Sequence, residues 1–344
     1  MKIFIFGAGA SKGSQGQVDN PSFVSPLTDE LFDDEYRGYA TYGQYEILSK
    51  AELSKCAEES KNNGSVEQWL TQRWNNINNF TQLRTQSAEK IFFGRLTFYI
   101  WQLLQAVSTQ TYNSSNAYTV LMEKLRISDQ PFGLISFNYD TLLDRAAIEV
   151  FGETFTSIDD YYNFPYIKPH GSVNWILGKR DGDPNTPPEA QLDIGIKIDT
   201  AVKHMLTGSA LSLNTLRVLG PRQPTLSNLT FMINVFSNQY FYPLIFMPLS
   251  SKLYPFVDGF SETIIQRSKE LIKKATEIYL IGYNAKDDII KDILLEAPAP
   301  TPLHIVKNGS AEQTMEEVLH LAPSLLVRGN ASNFGFRDFA ERYK

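Results

Sequence analysis

The stretch Lys2-Ile3-Phe4-Ile5-Phe6-Gly7-Ala8-Gly9-Ala10-Ser11 decides the fold. Its opening residues form a short, apolar, β-rich run that stops at a glycine, which predicts a buried strand. A strand followed at once by a glycine turn is how a nucleotide-binding α/β domain often begins. Two readings of the turn stand side by side. Small residues let the backbone approach a phosphate closely and aim N–H groups at it, with the Ser11 hydroxyl as a further donor. The same residues serve equally as a plain turn after a strand.

Working outward, residues 132–137 predict a second strand, with Asn138-Tyr139-Asp140 at its C-terminal end. Leu142, Leu143, Ala146, Ala147 and Val150 then recur at helical spacing, so a helix packs back on the sheet. Residues 277–281 and 303–306 predict further strands, ending at Gly282-Tyr283-Asn284 and Lys307-Asn308-Gly309, with helices over 261–275 and 286–295. The alternation implies a parallel sheet with helical crossovers, an α/β Rossmann-like fold. Between the first two strands, residues 27–127 read as an inserted helical module, with helices over 45–59, 66–76 and 91–107. Residues 178–240, broken by Gly/Pro-rich loops at 181–188 and 220–224, show no clear pattern.

The composition is that of an ordinary globular chain of 344 residues, 42% hydrophobic and 20% charged. A net charge of −6 argues against a broad basic surface, so no direct nucleic-acid partner is expected. The single cysteine, Cys56, cannot form an internal disulfide or a CxxC zinc pair, and fits a reducing, cytoplasmic setting. The apolar run at 91–107 is slightly short for a membrane span and carries Arg95, Gln102 and Gln105; it reads as a buried helix, and no membrane association is expected. The apolar run at the N-terminus is too short for a signal-peptide core.

In an open parallel sheet, ligands bind beyond the carboxyl ends of the strands. The islands at 7–11, 138–140, 282–284 and 307–309 all fall at such ends, and His170 lies on a loop between strand-like segments. An amide at Asn138 can hold a water or a ribose hydroxyl, and a carboxylate at Asp140 can accept from hydroxyls or orient the amide. The alternative is an Asx turn that opens the next helix. The His170 imidazole can act as general base or acid, or simply make a structural loop hydrogen bond. Gly282 and Asn284 can set backbone and amide against a ribose or phosphate, and Asn308 beside Lys307 can face a second ribose; ordinary strand-end turns account for them as well. Asp287 and Asp288 read as helix N-terminal carboxylates, and His204, His304 and His320 as structural or surface residues.

Taken in order, GAGAS at 7–11, FNYD at 137–140, KPHGSVNW at 168–175 and IYLIGYN at 278–284 resemble the sirtuin family. The likeness is greatest to its divergent bacterial group, many members of which act in anti-phage defence. It extends over residues 1–310, which the resemblance makes one NAD-binding domain carrying the 27–127 insertion, with 311–344 as a C-terminal extension packed on it. It implies that Gly7, Ala8, Gly9 and Ser11 face the NAD phosphates, that Asn138 and Asp140 lie beside the nicotinamide ribose, that His170, followed by Gly171, is catalytic, and that Gly282 and Asn284 face the adenosine half. Protein-deacylating sirtuins carry a four-cysteine zinc module after the His-Gly loop. This chain has no cysteine there, so no zinc is expected and an acyl-lysine groove is in doubt.

The resemblance therefore implies an NAD glycohydrolase that yields nicotinamide and ADP-ribose and serves as an NAD-depleting defence effector. The alternatives are an NAD-dependent protein deacylase or ADP-ribosyltransferase, and a non-catalytic NAD-binding sensor or scaffold. By the same analogy, control comes from assembly, as a homo-oligomer or with a HerA-type ATPase or other defence partner.

Overall fold

The structure, a computed structural model, describes residues 1–14, 24–42, 45–77, 83–180, 216–220, 239–247, 249, 260–285, 288–309, 311–323, 325–327 and 335–344. The chain divides into two compact units, one of Met1–Leu27, Gln110–Ser172 and Gly259–Lys344, the other of Thr28–Thr109 and Val173–Asp258. In chain order the elements are β1 (Lys2–Phe6), α1 (Ala8–Ser14), β2 (Thr41–Tyr42), β3 (Tyr45–Glu46), α2 (Lys50–Asn62), α3 (Val66–Asn76), α4 (Leu83–Thr111), α5 (Ala117–Ser128), β4 (Phe132–Ser136), α6 (Leu142–Phe151), α7 (Ile158–Asn163), β5 (Tyr166–Ile167), β6 (Gly171–Arg180), β7 (Leu216–Val218), β8 (Gln239–Ile245), α8 (Phe260–Ile272), β9 (Glu277–Ile281), α9 (Asp288–Leu294), β10 (Pro302–Val306), α10 (Glu312–Leu321), β11 (Leu326–Val327) and α11 (Phe336–Arg342).

The first unit is built on a six-stranded sheet in the order β11-β10-β9-β1-β4-β5, with every pairing parallel. This is the α/β Rossmann-like sheet that the strand–helix alternation predicts. Ile3, Phe4, Ile5 and Phe6 are all fully buried, as a continuous apolar run requires when both faces of a central parallel strand are covered. The strand after β1 in the sheet's winding is β4 on one side, whereas β9 leads to β10 on the other, so the winding reverses between β1 and β9. In open α/β sheets the ligand crevice lies beyond the carboxyl ends of the strands at such a reversal.

Register makes that edge level. Phe6 pairs with both Ser136 and Ile281, and Ile281 pairs with Val306. Gly7, Phe137, Gly282 and Lys307 therefore leave the sheet in one row. Ile167 of β5 pairs with Ile135, which brings the 168–170 segment out at the same edge.

Helix ends in this unit follow local chemistry. The Asn116 side chain accepts from the Thr119 amide to open α5, and Gly152 closes α6 in the left-handed conformation. Ser157 and Asp160 form a reciprocal capping box on α7.

In the second unit the expected helix over 45–59 forms only from Lys50. Ser49 and Glu52 make a capping box that sets the start, and Tyr45–Glu46 instead pairs antiparallel with β2. The apolar run at 91–107 lies within α4 and is buried, as expected: Leu96, Tyr99, Ile100, Leu103 and Val107 are at most 1% exposed. Its polar members have specific partners. Gln102 Nε2 donates to the Thr41 carbonyl at 2.9 Å and Gln105 Nε2 to the Val173 carbonyl at 2.7 Å. Among the described residues no helix is long and apolar enough to cross a membrane. A three-stranded sheet in the order β7-β6-β8 pairs Trp175 with Val218 antiparallel. The breaks expected at 181–188 and 221–224, and the residues His204 and Asp287, lie outside the described residues.

Candidate active site

The glycine turn is helical rather than open: α1 begins at Ala8. Its amides are largely taken up by the protein. Gly7 N donates to the Ile281 carbonyl at 2.9 Å, Gly9 N to the Gly282 carbonyl at 3.0 Å, and Ala10 N to the Gly7 carbonyl at 2.8 Å. A Cβ on Gly7 would come within 2.2 Å of the Tyr283 ring, and one on Gly9 within 2.9 Å of the Gly282 carbonyl oxygen. The space a side chain would fill at these glycines is thus occupied by the 282–283 turn. Gly282 is reciprocal, since at φ +60° its Cβ would lie 2.1 Å from the Ala10 nitrogen. The β1 and β9 turns interlock backbone to backbone at the point where the winding reverses.

Asn138 and Asp140 join this interlock from the β4 side, meeting Ser11 of α1. Asn138 and Asp140 are each 5% exposed. Asn138 Nδ2 donates to the Gly7 carbonyl at 2.8 Å and lies 2.9 Å from Ser11 Oγ and 3.2 Å from the Tyr118 hydroxyl. Ser11 and Tyr118 hydroxyls are 3.0 Å apart. Asp140 accepts from the Leu142 amide at 3.1 Å, the Asx turn that the sequence left open, and it also accepts from Ser11. Burial raises the Asp140 carboxyl above its ordinary range, against the pull of the Ser11 hydrogen bond and the Lys168 charge. Burial likewise pushes the Tyr118 hydroxyl well up, so it is a neutral donor and acceptor.

His170 is 4% exposed, and its Nδ1 meets the Phe137 carbonyl at 3.2 Å. A carbonyl only accepts, so Nδ1 carries the proton, and in the neutral ring Nε2 holds the lone pair. The ring stands edge-on to Phe137 and lies alongside Tyr139, and Phe137 in turn stacks on Tyr283 at 4.8 Å. Gly171 takes a φ of +79° with its amide on the Lys168 carbonyl at 3.0 Å, the tight turn that returns the chain into β6.

The structure therefore brings Gly7, Gly9, Ser11, Asn138, Asp140 and Gly282 into one bonded cluster, with His170 attached through Phe137 and Gly171 next to it on the Lys168 carbonyl. Ala8 is half-buried in the same turn. Asn284 and Asn308 stand apart from the cluster at the ends of β9 and β10 and are exposed. Asn284 Oδ1 accepts from Lys307 Nζ at 2.7 Å, and the Asn308 side chain lies against Gly335.

Several residues of this site were not legible beforehand. Tyr118 sits in an unremarkable helical stretch. Lys168 is fully buried, with Nζ 3.1 Å from Asp144 Oδ2; its one sequence signal is a lysine set directly after an apolar strand and before Pro169-His170. Among the described residues no group of three or more His, Cys, Asp or Glu is placed to hold a metal ion.

No family model and no curated protein matches the chain. Solved structures similar to the chain include those of Sir2 proteins. One of Sir2 with a p53 peptide and NAD+ is 14% identical at a TM-score of 0.39, covering 99% of this chain and 91% of that one. One of Sir2 bound to acetylated peptide gives the same values, 14%, 0.39, 99% and 91%. A third, from work on sirtuin substrate affinity, is 15% identical at a TM-score of 0.34, covering 68% of this chain and 72% of that one.

Proposed function

We propose that the first unit binds NAD+ at the edge between β1, β9 and β4 and hydrolyses its nicotinamide–ribose bond, as an NAD-depleting effector of bacterial anti-phage defence. The observation that carries this reading is the buried cluster of Gly7, Ser11, Asn138 and Asp140, with His170 tied to the neighbouring Phe137 carbonyl. The winding reversal favours this edge as the binding place, and the groups there suit a dinucleotide. It offers a neutral amide, a hydroxyl pair and an imidazole whose lone pair sits on Nε2.

The reaction takes NAD+ and water to nicotinamide, ADP-ribose and a proton. The donor end of the Asn138 amide is committed to Gly7 and Ser11, so its part is played by Oδ1, which would accept a hydrogen from the attacking water or a ribose hydroxyl. His170 Nε2 would take the proton as general base while Nδ1 stays on the Phe137 carbonyl. Asp140, engaged with Ser11 and Leu142, would orient the Asn138 cluster rather than hold the ribose itself. Ala8, Gly9 and Gly171 would line the phosphates and nicotinamide ribose, and Gly282, Asn284 and Asn308 the adenosine half. The defence role, and control through self-association or a HerA-type ATPase, rest on family analogy.

The test is incubation of the purified protein with NAD+, alone and with candidate partners, reading nicotinamide by chromatography beside the Asn138→Ala and His170→Ala variants. Loss of release by about 100-fold or more in both folded variants is expected from removing a positioned base or its partner. Undiminished cleavage in both would defeat the assignment. Release only with an acylated peptide would identify a deacylase, and tight NAD+ binding without release a sensor.

A further inference from the structure

Three attachments tie the 168–172 turn to the segment around Asn138. His170 Nδ1 meets the Phe137 carbonyl at 3.2 Å, Ser172 Oγ donates to the Tyr139 carbonyl at 3.3 Å, and Lys168 Nζ donates to the Asp140 carbonyl at 2.7 Å. The Lys168 ammonium has a partner for each of its protons: the Asp140 carbonyl, Asp144 Oδ2 at 3.1 Å and Ser172 Oγ at 2.6 Å. Because Ser172 accepts from Lys168, its own proton is left for Tyr139. Asp144 is held in turn by the Tyr166 hydroxyl at 3.0 Å and by the Tyr161 hydroxyl.

Burying an ammonium and a carboxylate is costly, and a well-packed apolar pair often stabilises a core as well or better. Core stability is thus a weak reason for this pair. It also leaves unexplained why the two residues that bracket Pro169-His170-Gly171 reach the two carbonyls that directly follow Asn138. We infer that Lys168 and Ser172 are positioning residues, which hold the His170 imidazole and the Asn138 amide in one fixed register through the Phe137–Asp140 backbone. They touch no reacting atom. Their effect passes through the orientation of His170, where a misplacement on the order of 1 Å costs about 100-fold in rate.

The inference rests on the proposed roles of Asn138 and His170, and its test separates the two. Ser172→Ala removes the relay and keeps the ion pair. Lys168→Met combined with Asp144→Asn removes the buried charges together, so that neither is left unpaired. Ser172→Ala is expected to melt within about 5 °C of the wild type, to keep KM for NAD+, and to lower kcat about tenfold with a displaced pH profile of kcat. In both variants the His170 ring signals, assigned by their loss in His170→Gln, are expected to move in the NMR spectrum. Unmoved His170 signals in the folded Ser172→Ala protein, or an unchanged kcat and pH profile, would overturn the inference. If the wild type releases no nicotinamide, the proposed reaction fails, and the positioning stands or falls on the His170 signals alone.

Discussion

The side-chain amide of Asn138 donates to the main-chain carbonyl of Gly7 at 2.8 Å, across 131 positions of chain. Neighbouring parallel strands deliver the two residues to one edge, but the strand ladder does not join the turns beyond it. A side chain does. The order of the glycine turn and the place of the Asn138 amide are therefore one property, and variants in this cluster are expected to change binding and turnover together.

The cluster should weaken unequally. Tyr118→Phe removes the hydroxyl beside Ser11 and Asn138 but keeps the ring against Phe6 and Phe336. Asn138 still meets Ser11, so a loss of about 1 kcal/mol is expected. Ser11→Ala strips a donor from the buried Asp140 carboxyl as well as an acceptor from Asn138, and is expected to cost about 2 kcal/mol. Urea unfolding and nicotinamide release should both rank Ser11→Ala as the more damaging; the reverse order would contradict the network.

Two left-handed glycines make a controlled pair. Gly152 has φ +73° with nothing near its absent Cβ, so Gly152→Ala should cost about 1 kcal/mol, the backbone strain alone. Gly282 has φ +60° with the Ala10 nitrogen 2.1 Å from the absent Cβ. Gly282→Ala must therefore push the β1 and β9 turns apart. It is expected to destabilise clearly more than Gly152→Ala and to abolish NAD+ binding, checked by thermal unfolding and calorimetric titration. Equal losses in the two variants would argue against the interlock.

The C-terminal helix reaches the same cluster from behind. Phe336 of α11 is buried, with its ring 4.9 Å from Tyr118 and 5.7 Å from Phe6, both edge-on. Phe336→Ala is expected to cost about 3–5 kcal/mol as a core truncation, and to lower turnover more than it raises KM because Tyr118 loses its backing. Full turnover in a stably folded Phe336→Ala protein would show that Tyr118 is positioned without it.

The Asp140 carboxyl predicts a pH dependence of stability. Its pKa is raised in the folded state, chiefly by burial, so the folded protein holds that proton more tightly than the unfolded chain. Ionising it then costs stability as pH rises from about 3.9, the ordinary Asp value, through the raised folded value. Asp140→Asn carries no such cost. Its stability relative to the wild type should be poorest at low pH and improve toward neutrality, measured by urea unfolding across that range. A difference that stays flat or declines with pH would contradict the sign.

Much of this architecture was readable along the chain. The run Lys2–Phe6 stops at Gly7, and the runs before Gly282 and Lys307 behave alike, so apolar patterning and turn chemistry placed these three strand ends correctly, while the strand expected to reach Phe137 ends one residue earlier, at Ser136. The helix expected from Tyr45 was misplaced because the apolar spacing there does not reveal that Ser49 and Glu52 cap the helix further on. The polar network was less legible. Asp140 offered an Asx turn or an oriented amide, and the structure has it serving Leu142 and Ser11 together. Lys168 stood inside a quoted motif without a role, because a buried ammonium is recognised by its partners, and Asp144 lies 24 residues away.

Local chemistry alone determined that strands end in small or amide-bearing residues, since periodicity and turn preference act over a few residues at a time. Only the tertiary arrangement decided that Gly7 and Gly9 must be glycine to admit the 282–283 turn, that the Asn138 donor is spent on Gly7, and that His170 keeps its proton on Nδ1. Each of these depends on which strand lies beside which and in what register. A hydrogen bond of about 3 Å is met or missed by a shift of one residue, and that alignment is a property of the assembled sheet.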